Sequence, residues 1–247
     1  MKRLLNKIVI VTGGNGLLGK EIIQKLTEEG AFCVNFDINH ETATDTLSTV
    51  ACDITDPKSV DQAVHLVIGK YGRIDGLVNN AYPRTADWGN KFEAIEYASW
   101  QKNVDGQLNS YFYISQTVSK FMLKAKSGSI VNMSSVYGIV GPDFTLYDGT
   151  EMTMPAAYAA IKGGIVNFSR YLASYLGPNN IRVNCVSPGG IFDSQNTIFV
   201  ENYCRKVPMR RMGLPDDISP VVLFLLSEES KYVTGQNIAV DGGWTCI

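Results

Sequence analysis

Short runs of β-branched and aromatic residues alternate along this chain with longer stretches whose apolar positions recur three and four apart. The short runs predict strands over 7–11, 32–36, 49–52, 76–79, 129–133, 181–186 and 237–240. The longer stretches predict amphipathic helices over 17–29, 57–71, 100–124 and 155–176. Near-continuous apolar strands separated by such helices suit a parallel sheet covered on both faces. The expected architecture is therefore one α/β domain over 1–247, a doubly wound parallel sheet of about seven strands with helices on both faces.

Segments 82–92 and 136–154 interrupt the rhythm with glycine, proline, aromatic and acidic residues, and both follow predicted strand ends. Open α/β sheets bind ligands at that edge, so these two segments, with 190–212, are candidate substrate loops.

The first strand runs into Thr12-Gly13-Gly14-Asn15-Gly16-Leu17-Leu18-Gly19 and then a helix. Glycines there allow a tight turn and close approach of backbone to a pyrophosphate, which the helix N-terminus favours through its free amides and dipole. Asp37 closes the second strand, where an acidic side chain can accept hydrogen bonds from adenosine ribose hydroxyls. A 2'-phosphate would meet like charge there, with no basic residue beside it. NAD is favoured over NADP. Asp53 and Ile54 after the third strand, and Asn80 and Ala81 after the fourth, are expected along the same crevice of a Rossmann-type fold.

Composition narrows the function classes. A net charge of -2 gives no electrostatic case for nucleic acid or an anionic membrane. The apolar stretch 220–226 is far short of a membrane span, and the basic start Met1-Lys2-Arg3 leads into a strand rather than a secretion signal. Five scattered cysteines without CxxC spacing suit a reducing cytoplasm, where they serve as small buried apolar residues. With only His40 and His65, no metal site is expected.

Tyr158 and Lys162 carry the candidate chemistry. Four residues apart on a helix, they share a face, and an ammonium there favours the ionised phenol. A free phenol, with a pKa of about 10, is only about 0.1% ionised at neutral pH, so this help moves Tyr158 toward general acid/base work.

Taken together these motifs resemble the short-chain dehydrogenase/reductase family over essentially the whole chain. The matching residues are the glycine loop, Asp53-Ile54, Asn79-Asn80-Ala81, Asn103, Ser135, Tyr158 with Lys162, Ser187-Pro188-Gly189-Gly190, and the closing Thr234 to Gly243. The resemblance implies hydride transfer between a nicotinamide and a carbinol. It implies that Ser135 bonds the reacting oxygen, Tyr158 exchanges the proton, Lys162 binds the nicotinamide ribose, and Asn103 supports a water relay. Pro188, Gly189 and Ile191 are expected at the nicotinamide, and the resemblance further implies a homo-oligomer, tetramer or dimer.

Three departures stand out. The loop spaces its glycines as TGxxGxxG, with Leu17 where classical members usually carry Gly or Ala, although the chain is of classical length. Asp193 stands where the family often has a carboxamide-binding Thr, with Ser194 beside it. Ser135 and Tyr158 lie 23 positions apart, longer than usual, and the extra residues place Tyr147 near the reacting centre.

The sequence thus points to an NAD-dependent oxidoreductase interconverting a secondary alcohol and a ketone. Tyr82, Arg84, Trp88, Tyr147 and Asp193 are the candidate substrate contacts, and the polar insert suits a sugar-like small molecule. Segments around Asn80 to Arg84 and Pro188 to Asp193 also resemble family members associated with bacterial surface sugars, including sialic-acid-like ones. The alternatives are 3-oxoacyl-carrier-protein ketoreduction and a non-catalytic NAD sensor.

Overall fold

The computed structural model describes residues 2–39 and 47–247. Seven parallel strands form one sheet: β1 (Ile8–Thr12), β2 (Phe32–Asp37), β3 (Leu47–Ala51), β4 (Gly76–Asn79), β5 (Gly128–Met133), β6 (Ile181–Pro188) and β7 (Asn237–Val240). Their order is β3-β2-β1-β4-β5-β6-β7, so the chain reverses direction across the sheet between β1 and β4. That reversal opens a crevice at the carboxyl ends of the strands.

Period-two alternation on β1 divides the core. Ile8 and Ile10 pack with α2 (Pro57–Tyr71), α4 (Ser110–Ala125) and α5 (Ala156–Leu176) through Val64, Ile114, Val118 and Leu172. Val9 and Val11 face the other way, onto Ile22 and Leu26 of α1 (Leu17–Glu28) and Val222 and Leu225 of α7 (Pro215–Leu226). Both faces of the sheet are covered, which is why its strands read as apolar without interruption.

Local signals set the helix ends. On α2 the Asp56 side chain accepts from Lys58 N, Pro57 occupies the first turn, and Gly72 ends the helix at φ 73. The predicted helix over 100–124 is instead three pieces: α3 (Tyr97–Val104), a π-helical turn over Asp105–Asn109, and α4. A π turn inserts one extra residue into the helical ladder, and this one buries only Gly106 and Gln107, so no large apolar side chain marks it in the sequence. Inside the loop expected over 190–212 lies another helix, α6 (Thr197–Lys206), capped by Asn196. Among the described residues no helix is long and apolar enough to cross a membrane. Cys33, Cys52 and Cys185 are buried free thiols, whereas Cys204 is half-buried and Cys246 exposed. His40 lies outside the described residues.

Candidate active site

A cleft of about 920 Å³ runs along the carboxyl ends of the strands, from Asp37 to Tyr203. Its floor is the turn after β1. Gly13 sits at φ +65, and a Cβ there would lie 2.8 Å from the Ala81 Cα. A Cβ on Gly19 would lie 2.2 Å from the Gly13 carbonyl oxygen, so Gly19 serves beneath the cleft by letting α1 approach the turn. Thr12 ties this turn to β4: its Oγ1 accepts from the amides of Asn80 and Ala81, each at 3.0 Å. Asn80 Nδ2 returns two bonds, to the carbonyls of Thr12 and Gly13. Helix α1 then starts at Gly16 without a side-chain cap. Its first amides are left for an anionic ligand, and the bare backbone fits a pyrophosphate.

Asp37, nearly buried, holds the other end of the loop. Its carboxylate accepts from Asn15 N at 3.1 Å and Asn39 N at 3.0 Å while lining the cleft. Asn35 on β2 accepts from Gly14 N and donates to the Asn15 side chain, fixing loop and strand together. Asp53 accepts from both the amide and hydroxyl of Thr55, and Asp53 and Ile54 form the next stretch of wall.

At the far end, Ser135, Tyr158 and Lys162 line the same space. Ser135 follows β5 and its hydroxyl accepts from Tyr137 N at 3.2 Å; lying near Tyr158 it also lowers the phenol's pKa, but burial outweighs that and raises Tyr158 above the usual phenol value. Lys162 is 4% exposed, and Nζ donates to the Met133 carbonyl at 2.9 Å. Burial lowers its ammonium to about 8, and no acidic side chain forms an ion pair with it among the described residues. The sequence anticipated a phenol eased toward ionisation by its neighbour; in this ligand-free chain desolvation dominates both groups. The arrangement can still move a proton at a carbinol oxygen, with a hydroxyl donor beside it.

Most of the expected cofactor track is assembled here. Asn15, Gly16, Leu17 and Leu18 join Pro188, Gly189 and Ile191 along the wall. Tyr82, Arg84, Tyr147 and Asp193 also line the cleft, whereas Ser194 does not. Besides Gly19, two expected residues stand back from it. Asn103 is 4% exposed, and its side chain accepts from Thr85 N and donates to Thr85 Oγ1 and Ser99 O, bracing the 85–99 segment. Trp88 packs half-buried with Tyr111 and Ile161, its ring 6.2 Å from that of Tyr158.

Sequence patterns did not pick out Tyr137, Phe199, Tyr203 or Met212, which complete the far end of the cleft. Tyr203 Oη accepts from Gly190 N at 2.7 Å, and its ring stacks on Trp244 at 5.1 Å. The only available signal was the 3–4 apolar spacing of Phe199 and Tyr203 inside what reads as loop. The extra length after Ser135 docks on α6: Tyr147 stacks on Phe199 at 5.3 Å, Asn202 Nδ2 donates to the carbonyls of Leu146 and Asp148, and Lys206 pairs with Asp143.

A family model described as Enoyl-(Acyl carrier protein) reductase matches residues 15–245. The chain is 36% identical to post-translational flagellin modification protein A of Campylobacter coli over 253 residues, covering 98% of this chain and 99% of that one. It is 35% identical over 258 residues to a 3-oxoacyl-(acyl-carrier-protein) reductase of Thermotoga maritima, with 98% of each covered. Among solved structures it resembles a short chain dehydrogenase from Leptospira borgpetersenii with bound NAD+, at TM-score 0.91 and 34% identity, covering 98% of this chain and 94% of that one.

Proposed function

The chain belongs to the short-chain dehydrogenase/reductase family and is an oxidoreductase of CH–OH groups; from that premise we propose that it uses NAD to interconvert a secondary alcohol and a ketone on a sugar-like substrate. The observation that carries this proposal is the convergence of Ser135, Tyr158 and Lys162 at the far end of a cleft whose near end is closed by Asp37.

In this proposal the Gly13 to Gly19 turn holds the pyrophosphate, Asp37 the adenosine ribose, and the Pro188 to Ile191 strand end the nicotinamide. A bound nicotinamide dinucleotide supplies the hydride acceptor or donor. Tyr158 exchanges the proton at the carbinol oxygen, and the Ser135 hydroxyl donates where alkoxide charge develops. Lys162 turns its remaining N–H donors to the ribose and lends its charge to Tyr158. Asn103 acts at a distance, by fixing the backbone from Thr85 to Ser99. Leu17 borders the pyrophosphate with an exposed side chain in place of the smaller residue.

Hydroxyl and amide groups at the substrate end, from Tyr137, Tyr147, Tyr203 and Gln195, with Arg84 and Asp193, support a polar substrate of sugar size, as in surface-glycan or nonulosonate synthesis. The likeness to a flagellin modification protein supports the same direction. A second activity, carrier-protein ketoreduction, is favoured by the likeness to a 3-oxoacyl-(acyl-carrier-protein) reductase and opposed by Asp37 if NADPH is required. We place the enzyme in the cytoplasm as one domain with substrate loops at 82–92, 136–154 and 190–212, assembled as a homo-oligomer. The deciding experiment is a panel of polyols, sugars, sugar nucleotides, nonulosonates and 3-oxoacyl thioesters, read by NADH formation or consumption. Turnover of the thioesters alone, with NADPH, would replace the sugar assignment.

A further inference from the structure

Lys162 has an unusual setting for a buried cation: among the described residues it meets one carbonyl, no carboxylate, and three tyrosine rings. Its Nζ lies 5.5 Å from the ring centroid of Tyr82, 5.5 Å from that of Tyr158 and 5.9 Å from that of Tyr111. Tyr158 and Tyr111 sit on the helices α5 and α4 that frame the site. Tyr82 comes from the loop after β4, and it touches both members of the reactive pair, since its ring also meets that of Tyr158 at 5.7 Å and 78°.

The backbone beside Tyr82 is fixed on each side. Ala81 N donates to Thr12 Oγ1, and the Ala81 carbonyl accepts from Tyr111 Oη at 3.2 Å. The Pro83 carbonyl accepts from Gln107 Nε2 at 3.0 Å, a donor presented by the π-helical turn. Trp88 closes the back of the ring at 5.7 Å, and the Arg84 guanidinium lies 5.2 Å from its centroid.

We propose that Tyr82 is a positioning residue for the reactive pair: its aromatic ring, and not its hydroxyl, holds the Lys162 ammonium in place against Tyr158. An aromatic face attracts a cation while excluding water, and unlike a carboxylate it does not neutralise the charge. Lys162 therefore keeps its full positive field for the phenol and its spare N–H donors for the ribose. The inference rests on the proposed role of Tyr158 in proton exchange.

The groups that face this pair from each packed element are few. From β5 comes the Met133 carbonyl and from just beyond it the Ser135 hydroxyl, from β6 the Cys185 thiol, and from α4 Tyr111. The insert contributes Tyr147, and the loop after β4 contributes Arg84 beyond the Tyr82 ring. Burial pushes Cys185 up to about 11, so it is a neutral thiol at physiological pH. Lys162, lowered to about 8, titrates in a range where the protein can be handled.

The test is trace acetylation of the full-length, ligand-free protein across pH 6–10, with the Lys162 peptide read by mass spectrometry. Tyr82→Phe keeps the ring and is expected to label as the unaltered protein does. Tyr82→Leu and Tyr82→Met keep the apolar cover without the π face, so half-labelling should fall by about half to one pH unit. Two such variants guard against one that fails to fold. With any compound turned over in the panel, the acidic limb of kcat/KM should move to higher pH in the Leu and Met variants and stay put in Phe. Equal labelling in all forms overturns the proposal, as does a Phe variant shifted as far as Leu or a shift to higher pH. Retained turnover in Tyr158→Phe would sink the role of Tyr158 instead, and the labelling needs no turnover to be read.

Discussion

Tyr158→Phe removes one oxygen from a half-buried ring and leaves the dinucleotide cradle untouched. Turnover should fall by at least about a hundredfold while NADH binding, followed by fluorescence, stays within about twofold. Lys162 makes a second, pH-dependent prediction. Its ammonium falls from 10.5 free to about 8 in the fold, so between those values the unfolded chain binds more protons than the native one. Stability from this group accordingly rises with pH across that window, and the penalty is fully present below about 8. Lys162→Met removes the dependence, so the stability difference between the two proteins should change by on the order of 3 kcal/mol over the window in urea melts. At the cradle's other end, Asp37→Asn weakens a charge-assisted acceptor and lifts the repulsion of a 2'-phosphate. The NADH over NADPH preference should shrink by roughly tenfold or more in paired titrations, and tighter NADPH binding by the unaltered protein would refute the assignment of Asp37.

Elements act through how they are joined. The insert after Ser135 and α6 form one apolar unit in which Leu146, Tyr147, Phe199 and Tyr203 pack together, and Tyr203 carries that unit to Gly190. The insert and the strand end after Pro188 are thereby mechanically linked. Asn202→Ala releases the Leu146 and Asp148 carbonyls, and KM for the substrate should rise about threefold to tenfold with NADH affinity nearly unchanged. Removing part of the stretch from Asp143 to Glu151 should have a larger effect of the same kind; unaltered KM and kcat would count against a substrate role for the insert. Little of this docking could be read from spacing, because α6 buries only Phe199 and Tyr203 and the insert is mostly exposed. The break at Asp105–Asn109 was equally hidden, since the turn buries Gly106 and Gln107 and no large apolar side chain.

At the scale of the whole molecule, exposed aromatic residues on the outer faces of α4 and α5 are the support for an oligomer. Phe112 is 47% exposed, and Tyr171 and Tyr175, at 63% and 64%, stack on each other with a centroid distance of 6.1 Å. Side chains of this size on two adjoining helices suit a subunit interface. Tyr171→Asp combined with Tyr175→Asp should reduce the mass found by light scattering to that of a smaller species, and an unchanged mass would move the interface elsewhere.

The sequence by itself determined the sheet, the glycine turn, Asp37, and the Ser135, Tyr158 and Lys162 set. These depend on signals local in the chain: period-two strands, a strand-to-helix glycine string, and a one-turn helical spacing. The tertiary structure alone decided that Asn103 braces a loop, that Trp88 stands behind the cleft, and that Tyr82 meets Lys162. It also decided that Tyr203 joins α6 to the strand end at Gly190. Those contacts link segments far apart in sequence, and they depend on side-chain directions that only the packed sheet and its crossovers fix.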